Sequence, residues 1–303
     1  MTPGQTPPSD LQTSGNPSAP VSPVSAPPKK GMSRKATLAV LLLACLFVLM
    51  PFLFWQASWF GAPMSPADIT AALAPAAEPR KSQHALAQLS MLIDRHDPSA
   101  RQWYPALIAE SRHPDAQIRL TAAWVMGRDN SAPEFHQALL PMLADSDPMV
   151  RSNAALSLVR FADASGRPQL LAMLQPYTIL VPKDTGGPLR QRLKVGDAVR
   201  PGTMVARIAT AQAVVEVRSP VPGILAHWLQ PSGATIQAGQ PLCILSPDPQ
   251  SAWESLRALY LVGQPEDAPI IESLLRTSRD LPPNLIEQAH LTLTALKSRG
   301  NSP

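Results

Sequence analysis

Apolar residues recur at helical spacing over the middle of the chain, and two stretches of this pattern align with each other. The stretch after Pro114 matches the stretch after Pro148, since each has a β-branched apolar residue, then Arg119 or Arg151, then two adjacent alanines. Helices that repeat every about 20–50 residues stack, because each repeat buries its apolar face only against its neighbours. The pattern therefore predicts an α-solenoid over residues 64–176.

The later copy, Asp147-Pro148-Met-Val-Arg-Ser-Asn-Ala-Ala, resembles the second helix of a HEAT repeat. Asp147 can cap this helix and Pro148 fits its first turn, whereas His113 stands at the capping position of the earlier copy and predicts a weaker cap. The resemblance implies that Arg119 and Arg151 pair with acidic residues of adjacent repeats. We expect the two arginines to form an internal ladder and not a ligand site.

A different pattern follows, in which short apolar runs alternate with glycines. Two copies start at Gly187 and Gly223, and in each a leucine, a further glycine, a β-branched residue and a last glycine follow at matching positions. Gly196 and Gly233 are the matching central glycines. This pattern is typical of short strands joined by turns in which glycine adopts a positive φ. It predicts a small all-β unit with internal two-fold symmetry over residues 178–246.

The segment between the two copies, from Ile208 to Gly223, resembles the core of the biotinyl/lipoyl-like domain, also called the barrel-sandwich hybrid. In that family a lysine at a hairpin tip carries the cofactor, and the matching residue here is Gln212. An amide cannot form the carrier linkage, so we expect no bound cofactor. The candidate contact surface for another protein is then the hairpin tip with two turns: Ala209, Thr210, Ala211, Gln212, Gly196 and Gly233.

Helical spacing returns over residues 250–299. The stretch at 168–174 has the character of a first helix, and the stretch at 253–262 that of the second helix that would complete it. We infer that the β unit is inserted within one HEAT-like repeat. The alternative is three separate domains in series, which leaves the helix at 168–174 without a partner.

The amino-terminal part has a different composition. Residues 1–35 form a Pro- and Ser-rich tail that is too polar to build a core, so we expect it to be disordered. Residues 36–57 are almost continuously apolar, and a helix needs about 20 such residues to cross a bilayer. This run is longer than the apolar core of a signal peptide and lacks a clear cleavage site, which favours a single uncleaved transmembrane helix.

Charge predicts the orientation of that helix. Basic residues on its amino-terminal side favour a cytoplasmic tail, and aromatic residues mark the opposite interface. We therefore expect a single-pass protein of the bacterial inner membrane, with its carboxy-terminal domains in the periplasm. The residues that carry this prediction are Lys29, Lys30, Arg34, Lys35, Trp55 and Trp59.

Composition and motifs exclude several function classes. The formal charge of +4 is mild for 303 residues and is spread along the chain, which argues against nucleic acid as a partner. The six histidines and two cysteines have no metal-ligand spacing, and neither a nucleophile elbow nor a P-loop occurs. We expect no catalytic residue, no metal site and no small-molecule substrate.

Together these patterns predict an α+β multidomain protein with one transmembrane helix, an α-solenoid of HEAT-like repeats and an inserted all-β barrel-sandwich domain. An anchored lipoyl-like unit without the lysine resembles the HlyD-like periplasmic adaptor proteins, also called membrane fusion proteins. The resemblance implies a non-catalytic adaptor or scaffold in a cell-envelope transport, secretion or assembly machine.

Its candidate partners are other envelope proteins and a second copy of the chain. Two alternatives stay open, namely a lipoate or biotin carrier and an accessory subunit of a membrane enzyme. The chain departs from the adaptors in one respect. Those proteins insert a long helical hairpin at the tip, whereas only Ala209 to Ala213 separate the two halves here.

Overall fold

The computed structural model describes residues 33–59, 63–75, 77–277 and 281–300. The chain divides into two compact units, Met1–Phe60 and Gly61–Pro303. The described part of the first unit is helix α1, Arg34–Trp59, with Pro51 inside the helix. The other described helices and strands belong to the second unit.

The prediction of a transmembrane helix over residues 36–57 is wrong. Within the described ranges, no helix has both the length and the apolar character needed to cross a membrane. A span takes about 20 consecutive apolar residues, and α1 does not meet this requirement. Of the residues that were expected to orient this helix in the membrane, Arg34 and Lys35 are exposed. Lys29, Lys30 and the side chains of Trp55 and Trp59 lie outside the described residues.

Helices build the first part of the second unit. One core extends from Ile69 to Leu158, and a second core joins Leu170 to the helices that follow the β unit. The helices are α2 (Pro66–Ala72), α3 (Pro79–Asp94), α4 (Tyr104–Glu110), α5 (Ala116–Met126), α6 (Pro133–Met142), α7 (Pro148–Val159) and α8 (Arg167–Ala172), with a 3-10 helix at Pro98–Trp103.

Aspartate caps set the starts of α5 and α7. The carboxylate of Asp147 accepts a hydrogen bond from the backbone N–H of Met149 at 2.7 Å, and that of Asp115 accepts one from Gln117 at 2.8 Å. These bonds satisfy N–H groups that have no partner within the first helical turn. The earlier cap is therefore Asp115 and not His113, whose Nδ1 accepts a hydrogen bond from the N–H of Asp115.

Small residues allow α5 and α7 to approach closely. A Cβ atom added at Gly127 would lie 2.5 Å from the hydroxyl oxygen of Ser157. That hydroxyl donates a hydrogen bond to the carbonyl oxygen of Ala123 at 2.8 Å. Ala123 and Ala154 are fully buried. The adjacent alanines of the sequence repeat thus mark the contact between the second helices of neighbouring repeats.

The β unit contains two four-stranded sheets, with strand orders β1-β8-β6-β3 and β5-β4-β2-β7. Paired strands are antiparallel, and branched apolar side chains fill the core of the unit. The strands are β1 (Tyr177–Leu180), β2 (Gly187–Gln191), β3 (Ala198–Val199), β4 (Met204–Ala209), β5 (Val214–Arg218), β6 (Gly223–Trp228), β7 (Thr235–Ile236) and β8 (Pro241–Pro247).

The two copies of the glycine pattern occupy equivalent positions. Gly196 and Gly233 have φ values of +94° and +87°. The N–H of Gly196 donates to the carbonyl oxygen of Leu225, and the N–H of Gly233 donates to that of Leu189, each at 2.8 Å. Because Leu189 and Leu225 are themselves matching residues, each copy binds the other in the same way. The unit therefore has the internal two-fold symmetry that the sequence repeat predicts.

Among the described residues after the β unit are the helices α9 (Pro249–Val262), α10 (Ala268–Thr277) and α11 (Pro283–Gly300), with a 3-10 helix at Pro265–Asp267. The helices on either side of the insertion pack against each other, since the hydroxyl of Ser255 in α9 donates to the carbonyl oxygen of Leu170 in α8 at 2.6 Å. An ion pair of 2.8 Å joins Arg167 to the buried carboxylate of Asp267. The β unit thus projects from between two helices that pack as a pair.

Candidate functional site

The tip of the β4–β5 hairpin is a tight turn that Thr210 closes. Ala209 pairs with Val214 at the end of the ladder. The N–H of Thr210 donates to the carbonyl oxygen of Ala213 at 2.9 Å, and its hydroxyl oxygen accepts a hydrogen bond from the N–H of Ala213 at 3.0 Å. Gln212 lies exposed at the tip. The turn therefore presents a carboxamide at the position that the sequence resemblance matches to the carrier lysine.

The carboxamide of Gln212 cannot form a covalent bond to lipoate or biotin. Attachment of lipoate or biotin needs a nucleophilic primary amine, and an amide nitrogen is neither basic nor nucleophilic at neutral pH. What the side chain of Gln212 can do is donate and accept hydrogen bonds. The tip is therefore suited to contact with a polar surface and not to covalent loading.

Charged side chains stabilise the hairpin below its tip. The carboxylate of Glu216 accepts hydrogen bonds from Arg207 at 3.0 Å and from Arg218 at 2.6 Å. These bonds, with that from Arg207 the larger, hold the pKa of Glu216 below its usual range. Both arginines share this one carboxylate, which holds the two strands of the hairpin together.

The two glycine turns are separate from the tip. The hydrogen bonds of the tip stay within the hairpin, whereas Gly196 and Gly233 bind the β6 and β2 strands. A Cβ atom at Gly196 or Gly233 would meet nothing within 4 Å, so both turns are open. The candidate contact residues therefore lie on one domain without forming one continuous hydrogen-bonded site.

Arg119 is bound within the solenoid. Its guanidinium donates two hydrogen bonds to the carboxylate of Asp145, from Nε to Oδ2 at 2.7 Å and from Nη2 to Oδ1 at 2.8 Å. Its Nη1 donates to the carbonyl oxygens of His113 and Pro114. The hydrogen bonds from Arg119 lower the pKa of Asp145. All of these partners are side-chain or backbone groups of the chain, so Arg119 serves the packing of adjacent repeats.

Arg151 repeats this arrangement with one difference. Its Nη1 donates to the carbonyl oxygens of Asp145 and Ser146, as Arg119 does to the preceding turn. Its Nε, however, donates to the amide oxygen of Gln169 at 3.3 Å. The amide of Gln169 thus takes the place that the Asp145 carboxylate has beside Arg119. Because this hydrogen bond is longer and its acceptor is neutral, the step at Arg151 is weaker than the step at Arg119.

Titratable and nucleophilic groups do not converge within the described residues, where no group of three His, Cys, Asp or Glu side chains lies close enough to hold a metal. Burial raises the pKa of the Cys243 thiol to about 11, which leaves little thiolate at neutral pH. His136 contacts Asp163 at 2.6 Å. Burial raises the pKa of Asp163, but hydrogen bonds from Ser165 and His136 outweigh it and lower the pKa overall.

A groove of about 470 Å³ runs across the second helices α5, α7 and α9. We call it the Trp–Arg groove. On each helix an apolar side chain is followed four positions later by an arginine, so that the two lie on the same face. The residues that define the groove are Trp124, Arg128, Leu156, Arg160, Trp253 and Arg257.

Sequence reasoning missed this groove. Its signal was present as an apolar residue and an arginine at i and i+4 in the stretches at 124–128, 156–160 and 253–257. In a single helix such a pair is unremarkable, because arginine is common on solvated faces. It becomes informative only once α5, α7 and α9 are known to be neighbours in the solenoid.

Two family models match parts of the second unit. The model described as HEAT repeats matches residues 104–178, and the model described as Biotin-requiring enzyme matches residues 184–245. A comparison with curated proteins found no match. The chain therefore contains a HEAT-repeat region followed by a biotinyl/lipoyl-type domain, as the sequence patterns predict. Identity with a HlyD-like adaptor stays a prediction.

Proposed function

We propose that this protein is a non-catalytic scaffold or adaptor that holds partner proteins on its solenoid and its β unit. The observation that carries the proposal is a biotinyl/lipoyl-type domain that has Gln212 at its tip and joins the solenoid through short connections, from Ala172 to Tyr177 and from Pro247 to Pro249. A cofactor carrier has to move between sites on a flexible connection. Here the β unit is joined directly to α8 and α9, which pack against each other through Ser255 and Leu170.

The resemblance of the sequence to HlyD-like adaptors favours a role in assembly, but the contact surface has to differ. The tip between Ala209 and Val214 is a tight turn and has no room for a helical hairpin. The solenoid offers the larger surface, because helical repeats present extended faces to partners. The proposal makes no use of the inner-membrane and periplasmic location predicted from the sequence.

The experiment is site-specific photo-cross-linking of the full chain in its own host. A benzoylphenylalanine replaces Trp124 on the solenoid, Gln212 at the hairpin tip, or Leu291, an exposed residue of α11 that serves as the control. We expect discrete adducts with a partner protein, or with a second copy of the chain, from position 124 or 212. Equal adducts from all three positions, or no adduct from any, would contradict the proposal.

A further inference from the structure

The Trp–Arg groove has the composition of a binding surface. The guanidinium carbon of Arg128 lies 4.8 Å from the ring centroid of Trp124, and that of Arg257 lies 4.8 Å from the ring of Trp253. Stacking of this kind holds both groups in place before any ligand arrives. Tryptophan and arginine are also the residues most enriched where binding energy concentrates in protein interfaces.

The groove leaves apolar area in contact with water. Trp124 keeps 43% of its surface exposed, and Leu261, which also lines the groove, keeps 63%. Between the two tryptophans, Leu156 is only partly buried. Apolar side chains of a partner would cover this surface, and each buried Å² contributes about 25 cal/mol.

Positive charge in the groove is only partly neutralised. Arg160 and Arg257 are exposed and have no ion pair within the described residues, and Arg128 pairs with Asp94 through Nη2 only. The buried Nε of Arg128 has no hydrogen-bond acceptor. One carboxylate, that of Glu254, lines the groove against the three arginines. The groove therefore favours an occupant with several negative charges.

We propose that the Trp–Arg groove binds an acidic segment of a partner protein in which Asp or Glu residues are interspersed with large apolar residues. This inference rests on the proposed scaffold function and names the chemistry of its partner. Carboxylates would pair with Arg160 and Arg257, while the apolar side chains would cover Leu156 and the exposed part of Trp124. The apolar floor distinguishes this ligand from a bare polyanion, which would use the arginines alone.

Fluorescence anisotropy with the full chain tests the inference. The probe is a labelled synthetic peptide of about twelve residues that alternates Glu with Leu and Phe, and the comparison peptide carries Lys in place of Glu. We expect saturable binding of the acidic peptide only. Raising the salt to about 0.5 M should weaken this binding at least about threefold, because exposed ion pairs are screened.

Substitutions separate the groove from general charge. Charge reversal in an R160E/R257E double variant should weaken binding of the acidic peptide by about tenfold or more, and W253A by about tenfold. R276E is the matched control, because Arg276 is exposed on α10, away from the groove, and has no ion pair in the described structure. It should change the affinity by less than about twofold.

The inference would be overturned by no binding of the acidic peptide, by equal binding of the basic peptide, or by equal losses in R276E and in R160E/R257E. Far-UV circular dichroism of each variant shows whether its solenoid is intact. If W253A does not fold, R160E/R257E and R276E still test the inference. A polyglutamate peptide that binds as tightly as the mixed peptide would likewise contradict it. If one of these failures occurs but the cross-linking experiment gives partner adducts from position 124 or 212, the scaffold function is still supported and only the inference about the groove is wrong.

Discussion

At the scale of single residues, the solenoid depends on arginines whose partners differ between repeats. Arg119 has a bidentate carboxylate partner, with 13% and 11% of the two side chains exposed. Arg151 occupies the equivalent position but finds the amide of Gln169. Charge-assisted hydrogen bonds are stronger than neutral ones, so the second step of the ladder has room for improvement.

Replacing Gln169 with Glu should stabilise the protein by about 0.5–1 kcal/mol, because a carboxylate would then face the Nε of Arg151. Urea unfolding followed by circular dichroism measures the gain. In an Arg151→Gln background the same substitution should have no stabilising effect. A gain of equal size in both backgrounds would show that the carboxylate acts elsewhere.

The first step of the ladder predicts a pH dependence. The pKa of Asp145 is lowered, first by the hydrogen bond from Arg119, so its contribution to stability is complete above the ordinary aspartate pKa of 3.8 and is lost as the pH falls through the folded-state value. Asp145→Asn should cost about 2 kcal/mol at neutral pH. This difference from the wild type should shrink as the pH falls below about 4, and a constant difference would contradict the account.

At the scale of elements, glycines define the β unit in two distinct ways. Gly202 has a φ of +82° and open space around it, so only its backbone conformation requires glycine. Gly187 has a φ of +144°, and a Cβ atom there would also collide with the carbonyl oxygen of Ala209 at the end of β4. The tip end of the carrier-like hairpin therefore packs against Gly187.

Alanine substitutions at these two positions should differ in cost. Gly202→Ala should destabilise the β unit by about 1–2 kcal/mol, through backbone strain alone. Gly187→Ala adds a backbone collision, so its cost should exceed that of Gly202→Ala by at least about 1 kcal/mol. Hydrogen exchange of β4 and β5 amides measures both. Equal protection in the two variants would show that the close contact is unimportant.

The helix starts and the turns of the β unit could be predicted from the sequence because each depends on a few neighbouring residues. Asp147 and Pro148 mark the start of α7, and the paired glycines mark the turns of the β unit, because caps and positive-φ turns are set by a few neighbouring residues. The cap at Asp115 was misplaced by two residues, since His113 also precedes a proline. The Trp–Arg groove could not be predicted, because it depends on which helices lie side by side.

The membrane prediction failed for a different reason. Hydropathy was judged from the sequence over residues 36–57, and no helix among the described residues meets the requirement for a span. The pairing of Arg119 with an acidic residue, by contrast, was implied by the resemblance to HEAT repeats. The replacement of its acidic partner by Gln169 at Arg151 was not evident from the aligned helices alone.

At the scale of the whole second unit, the β domain is an insertion whose two ends meet. Tyr177 in β1 is paired with Leu245 in β8, so the chain leaves and re-enters the solenoid at neighbouring points. Paired residues of antiparallel strands lie about 5 Å apart. A short turn can therefore bridge the gap.

Replacing residues 178–244 with a Gly-Ser turn should leave a folded solenoid, because the contact between α8 and α9 does not pass through the β unit. We expect a cooperative helical unfolding transition by circular dichroism. The matched control removes residues 167–244, which takes α8 away from α9, and it should lose much of that cooperativity. Equal loss in both deletions would mean that the β unit is required for the solenoid.

The most direct test of the central claim, that the biotinyl/lipoyl-type domain is an interaction module and not a carrier, is a mass measurement on the full chain purified from its own host. Peptide mapping would report the mass of the peptide that contains Gln212. The account predicts the mass of the unmodified sequence, because an amide cannot accept the cofactor. A lipoyl or biotinyl adduct on this peptide would contradict the account.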